Sequence, residues 1–273
     1  MTQEENVPKK IADYYETEEH LAWDLLTKGH IHLGYWDDNN REASLAEGTK
    51  RLTQLMIDKT EISKGQRFCD IGCGVGMPAI MLAREKGCFV DGVTISEYQK
   101  KEAEKRAGME GVGDKARFVN ADALNLPFAD NTFDGGWFFE SIFHMGHHDA
   151  LCEAHRVLKP GSILLITDVV DIGLLTEEEK SYAKDLCNVD YVTKQEYQDL
   201  LKGAGFELIE LSDITGEVIV PFESKFTEAV RAQKNEVFNI LNQNKDILKG
   251  FEEVAEKFSK IGYIIVKARN KDS

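Results

Sequence analysis

The chain is 273 residues long, enough to bury a sizeable core, and carries 48 acidic against 33 basic side chains, a formal net charge of −15. That balance disfavours a nucleic-acid partner, which calls for a basic face, and argues weakly against binding to anionic membranes. No apolar run reaches the roughly 18 residues of a spanning helix; the polar, acidic opening is unlike a signal peptide, and five scattered cysteines without a Cys-x-x-Cys pair fit free thiols in a reducing cytoplasm.

Residues 8–26 carry Ile11, Tyr14, Tyr15, Leu21 and Leu25 at helical spacing. Residues 31–36 form a short apolar–aromatic element that ends in the turn-like Asp37-Asp-Asn-Asn40. Ser44, with Glu47 three positions on, reads as a capping box opening a helix to about Asp58. Strand and helix signals then alternate. Strands are predicted at Arg67–Ile71, Phe89–Thr94, Ala116–Asn120, Phe133–Phe139 and 163–169, and helices begin near Pro78, Ser96, His147 and Thr193. Such alternation predicts a parallel sheet with helices on both faces. Two more apolar strands, at 206–214 and 261–268, are separated by a mostly helical segment, 221–257, too large for an ordinary connection and suited to a lid.

The run from Phe68 into Asp70-Ile-Gly-Cys-Gly-Val-Gly76 is the most informative stretch. Gly72, Gly74 and Gly76 let the backbone turn sharply and approach a ligand with no Cβ in the way. A dinucleotide fingerprint needs its third glycine at position 77, where Met77 stands. The pattern therefore favours a cofactor with no pyrophosphate to seat, such as S-adenosylmethionine. Asp70, at the strand end, suits a cofactor ammonium or a water beside it.

With Asn120-Ala-Asp122-Ala123, Leu126-Pro-Phe128, Phe133-Asp134 and Arg156-Val-Leu-Lys-Pro-Gly161 following in order, this core resembles the class I S-adenosylmethionine-dependent methyltransferases. Tyr15, His32-Leu-Gly-Tyr-Trp36 and Glu140-Ser-Ile-Phe-His-Met145 resemble a small-molecule branch that includes glycoside sugar O-methyltransferases, tocopherol-type C-methyltransferases and sarcosine or dimethylglycine N-methyltransferases. The resemblance implies a Rossmann-like, doubly wound α/β sheet of seven strands, mostly parallel with the last antiparallel. It also implies one domain over 1–273. Residues 1–60 would be a helical cap, 61–170 the cofactor core, and 171–192 and 217–258 lid and acceptor elements.

Carried over residue by residue, the resemblance implies backbone contacts from Gly72, Gly74 and Gly76, and Asp122 with Ala123 at the adenine. Most of the larger family holds the ribose with an acid after the second strand. Here Thr94 and Gln99 stand instead, each able to donate and accept without adding charge. Trp36 and Tyr15 are candidates to wall the methionine end, where an aromatic face attracts a sulfonium. Glu140 faces the crevice at the carboxyl edge of the sheet.

Methyl transfer from a sulfonium is an in-line displacement whose rate comes largely from positioning. A neutral alcohol also benefits from a base. His144 is the preferred base, and Asp168, after the next strand, is the candidate to orient it or to hold the acceptor. His147 and His148 read as the start of a helix, and His32 as a lesser acceptor contact. No metal site is expected. Ile172, Leu174, Leu175, Val218, Ile219, Val220, Phe222 and Phe226 are the apolar residues available to wall an acceptor pocket. The reading is methyl transfer to a small-molecule hydroxyl by a monomer or homodimer. N- or C-methylation is the alternative, and a non-catalytic module or a macromolecular acceptor is disfavoured.

Overall fold

The strands follow from short β-branched and aromatic runs bounded by turns, and the computed structural model, which describes residues 7–241 and 258–271, assembles them into one seven-stranded sheet. The strands are β1 (Arg67–Ile71), β2 (Phe89–Thr94), β3 (Ala116–Asn120), β4 (Phe133–Phe139), β5 (Leu158–Asp171), β6 (Phe206–Asp213) and β7 (Ile261–Asn270). Their order is β3-β2-β1-β4-β5-β7-β6. The first five pair in parallel, and β7 lies antiparallel between β5 and β6. The order reverses between β1 and β4, so their carboxyl ends flank the crevice where open α/β sheets bind ligands. β5 begins earlier than residue 163, because Leu158 pairs with Phe133 before a register shift.

Helices α1 (Val7–Tyr15), α2 (Glu18–Thr27), α3 (Leu45–Lys59), α4 (Met77–Lys86), α5 (Glu97–Met109), α6 (His147–Val157), α7 (Glu177–Cys187), α8 (Glu196–Gly203), α9 (Thr215–Ala232) and α10 (Lys234–Ile240) cover the sheet. Two apolar clusters result, one on each face. Phe68, Trp137 and Tyr263 belong to the first, and Phe133, Phe138 and Tyr197 to the second. The Ser44–Glu47 capping box forms as expected. The periodic stretch 8–26 is two helices, not one. Thr17 turns extended (φ −76, ψ 162) at the junction, and its hydroxyl donates to the Tyr14 carbonyl at 3.0 Å.

Residues 31–36 form no regular element and cross the sheet edge as irregular chain. Their anchor is a proline. Pro221 lies inside α9 and has no N–H to give the Glu217 carbonyl one turn back. The Trp36 N–H takes that carbonyl instead, at 2.8 Å. The Trp36 indole is 3 % exposed, donates to the Ala43 carbonyl at 3.0 Å, and fills the space over Gly34 and Gly48.

The described part of the expected 217–258 lid does not cover the crevice; residues 242–257 lie outside the described chain. Val218, Ile219, Phe222 and Phe226 face inward, with Trp23 of α2 tilted against the two phenylalanines at 5.7 and 5.2 Å. Val220 is 75 % exposed. The amphipathicity that reads as a lid is that of a helix packed on α2, α3 and β7.

Gly48 tests this packing. Glycine to alanine inside a helix ordinarily stabilises by about 0.5–1 kcal/mol. Here a Cβ would stand 2.3 Å from Trp36 Cζ2, against a ring with no room to move. Gly48→Ala is expected to destabilise the fold by about 1–3 kcal/mol, read as a lower urea midpoint at unchanged m; a neutral or stabilising result would contradict the described Trp36 seat.

Candidate functional site

A cavity of about 410 Å³ opens over the carboxyl ends of β1, β2 and β4, within the usual size range of small-molecule sites. It is floored by the 72–75 loop and roofed by Val7 and Ile11 of α1 with Ile31 and His32. Gly72 (φ +87) is required by sterics, since a Cβ there would lie 2.4 Å from that of Ser141. Gly74 (φ +53) faces open space, so its backbone is bare toward a ligand. Gly76 does not reach the cavity. It is the N-cap of α4, where a Cβ would lie 2.8 Å from Ala103 and Phe118, so its work is to let α4 approach α5 and β3.

Asp70 closes the inner end of the cavity. It is 1 % exposed, and neither carboxylate oxygen has a hydrogen-bond partner. Burial raises its pKa to about 7, while the Trp137 indole N–H nearby favours the ionised form without making a full bond. A buried carboxylate with no donor, facing a cavity, fits a ligand that brings its own N–H groups. On the β2 side, Thr94 Oγ1 donates to Gln99 Oε1 at 2.7 Å, and the Gln99 amide nitrogen, with no described partner, is left for a ligand. Asp122 accepts from the Leu124 N–H at 2.9 Å with Oδ1 and lines the cavity beside Ala123. These groups fit S-adenosylmethionine: an acceptor for the ammonium, neutral polar groups for a ribose diol, and a loop that a side chain would obstruct.

Glu140 lies at the end of β4 with φ +48. Both its oxygens accept from the Leu33 N–H, at 2.9 and 3.1 Å, and Oε1 also accepts from the Tyr263 hydroxyl at 2.5 Å. Burial raises its pKa to about 8 against the pull of those donors, and the like charge of Asp168 adds to the rise. His144 follows on a single 3-10 turn, Ile142–His144. Its Nδ1–H donates to the Cys187 carbonyl at 2.7 Å, the only role a carbonyl allows, which assigns the lone pair to Nε2. Burial lowers its pKa to about 4, so the ring is neutral at pH 7.

Asp168 does not orient His144. It lies on the other side of β5, 0 % exposed and outside the cavity lining. Its Oδ2 accepts from His147 Nε2 at 2.8 Å and from the Tyr197 hydroxyl. Alternation along the strand is the cause: Thr167 turns to the Glu140 face, and Asp168 turns toward α6 and α8. Trp36 is likewise no wall of the cavity, being packed on Gly34 and Gly48. The Tyr15 side chain is not among the described ones. His32 lines the cavity, stacked on Phe139 at 4.2 Å, with Nδ1 on the Leu33 carbonyl and Nε2 on Thr53 Oγ1. His148 is exposed on α6.

Asn188 was not singled out from sequence. It ends α7 in the left-handed conformation (φ 57), lines the cavity, and donates from Nδ2 to the His144 carbonyl at 2.6 Å. Its sequence signal is that of an ordinary helix cap, where asparagine is common. The acceptor wall expected from 172–175 and 218–226 is absent from the lining; Ile31, Ile95, Leu124 and Phe139 stand there with Val7 and Ile11.

A methyltransferase-domain family model matches residues 69–166, which run from β1 into β5. The chain is 33 % identical over 256 residues to the (+)-O-methylkolavelool synthase of Herpetosiphon aurantiacus, covering 90 % of this chain and 89 % of that one. It is 33 % identical over 272 residues to the 27-O-demethylrifamycin SV methyltransferase of Amycolatopsis mediterranei, covering 97 % and 98 %. Among solved structures it is similar to the (4+2)-cyclase SpnF, with a TM-score of 0.83, 28 % identity and 98 % of both chains covered. With the glycine loop, the unpaired Asp70 and the neutral Thr94–Gln99 pair all opening on one cavity, and with relatives matched along nearly their whole length, the chain belongs to the class I S-adenosylmethionine-dependent methyltransferases of the small-molecule, natural-product type.

Proposed function

We propose that this enzyme methylates a hydroxyl group of a small molecule, with His144 as the base. When bound, the cofactor supplies a methyl already activated on a sulfonium. The chain's own residues then do the rest. Asp70 accepts from the ammonium, and Gly72 and Gly74 leave the backbone open beside it. Thr94 and Gln99 take the ribose diol, and Asp122 with Ala123 borders the adenine. Glu140 holds Leu33, and with it the 31–36 segment, against the sheet edge.

The observation that carries the O-methylation reading is the His144–Cys187 hydrogen bond. It fixes the tautomer with the lone pair on Nε2, in a ring that burial keeps neutral at pH 7 and makes a weaker base than a free imidazole. Amine or activated-carbon acceptors have less need of such a group. Two relatives, one named for an O-methyl product and one for an O-demethyl substrate, support the same reading. His144→Asn is expected to lower turnover by about 10²–10⁴-fold with cofactor affinity intact. The measurement is label transfer from the cofactor to a product identified by mass in a metabolite extract. A loss below about tenfold favours N- or C-methylation. An unlabelled rearranged product would point to cyclase chemistry on the same fold.

Two pH effects follow from the buried acids. The ionised form of Asp70 is the one that binds an ammonium, and its pKa of about 7 in the free protein makes protons compete. Cofactor affinity measured by calorimetry should fall as pH drops below about 7. Asp70→Asn should weaken it by about 10–100-fold and remove most of that slope.

The second effect concerns stability without cofactor. Asp70 and Glu140 have folded pKa values above their unfolded ones, so the folded state binds the extra protons and stability is lost as pH rises through about 7 and 8. His30, His32 and His144 are lowered to about 4, 3 and 4, and oppose this while the unfolded state takes up protons, an opposition that fades as pH rises past about 6.5. Between about pH 7 and 8 the acids outweigh it. Urea denaturation of the cofactor-free protein should show stability falling across that window, and a flat or rising profile would contradict the burial of these carboxyls.

A further inference from the structure

Given that this cavity takes cofactor and acceptor together, its charges narrow the acceptor. Among the described residues that line it there is no lysine and no arginine, whereas Asp70, Asp122 and Glu140 are all present. The two lining histidines do not redress the balance, because burial holds both neutral at pH 7. Two backbone N–H groups of the glycine loop do not redress it either. Those of Gly72 and Cys73 are spent on the Val93 carbonyl, at 2.9 and 2.8 Å. Helix α4, whose N-terminus would be the ordinary seat for an anion, has Pro78 as its second residue and lacks that donor. A phosphate or carboxylate here would lose its hydration and gain no cationic side chain from the described lining.

A cationic acceptor fares no better. Its nucleophilic atom must approach a sulfonium, which repels it, and a protonated amine has no lone pair to offer. Of the carboxylates, Asp70 is the group suited to the cofactor ammonium, and Glu140 is held by Leu33 and Tyr263. Ile11, Ile31 and Phe139 line the same space with hydrocarbon.

We propose that the acceptor is an uncharged, mainly hydrocarbon alcohol, and that the cavity rejects phosphorylated, carboxylated or ammonium-bearing molecules of the same skeleton. Selectivity of this kind comes from what the site withholds as much as from what it offers.

The test uses the full chain saturated with S-adenosylhomocysteine at pH 7.5. 1-Octanol, octyl phosphate and octylamine are titrated separately and followed by calorimetry. 1-Octanol is expected to bind with a dissociation constant at least about tenfold below that of either charged probe. Octyl phosphate or octylamine binding as tightly as 1-octanol would overturn the proposal, as would failure of 1-octanol to bind a chain that binds S-adenosylhomocysteine. Failure to bind S-adenosylhomocysteine would instead overturn the assignment of the cavity itself.

Discussion

One buried carboxylate joins the parts of the chain that make the site. Glu140 leaves β4 in a left-handed conformation that a non-glycine residue adopts only when its surroundings hold it there. Its backbone N–H reaches Thr167 of β5, and its carboxylate takes the Leu33 N–H and the Tyr263 hydroxyl. Two sheet neighbours, the last strand and the N-terminal segment thus meet within one side chain. Burying an acid there costs free energy, as its raised pKa records, and the Leu33 and Tyr263 donors offset that cost.

The cavity's roof comes from the front of the chain and not from its later insertions. Helix α1 and residues 31–32 close over the cofactor loop, while α9 is committed to packing against Trp23 and β7. Two polar contacts hold that front segment to α5, the helix between β2 and β3. Asp24 of α2 makes a paired contact with Arg106 of α5 at 2.9 and 2.6 Å, and Glu16 accepts from Ser96 at 2.7 Å. Ser96 is also the N-cap of α5, accepting from the Gln99 N–H. The residue that caps α5 at Gln99 therefore also tethers the roof.

Much of the sheet was legible because its strands are short, apolar and separated by strong turn signals. The bounds of β1 through β4 follow directly from residues 67–71, 89–94, 116–120 and 133–139. The glycine loop was legible in kind, although Gly76 serves helix packing and not the ligand. What one-dimensional pattern does not carry is the direction in which a side chain leaves its element. Asp168 and Thr167 differ by one position and face opposite sides of β5, so proximity of strand ends to His144 is not proximity of carboxylate to imidazole. Trp36 and the apolar face of α9 were equally ambiguous, since a residue suited to a ligand wall is equally suited to a core. Asn188 is a helix cap whose second contact is 44 positions away, at the His144 carbonyl, and no local signal reports it.

The strand order has a consequence for biosynthesis. β7 fills an interior slot of the sheet, between β5 and β6, yet it is the seventh strand to leave the ribosome. Until residue 270 has emerged, β6 has no partner and the buried edge of β5 is bare, a surface that would attract other chains if it lingered. Tyr263 arrives with that same strand, so the nascent polypeptide lacks both its closing ladder and one donor to Glu140. Assembly of the catalytic pocket is thereby deferred until translation of the sheet is complete.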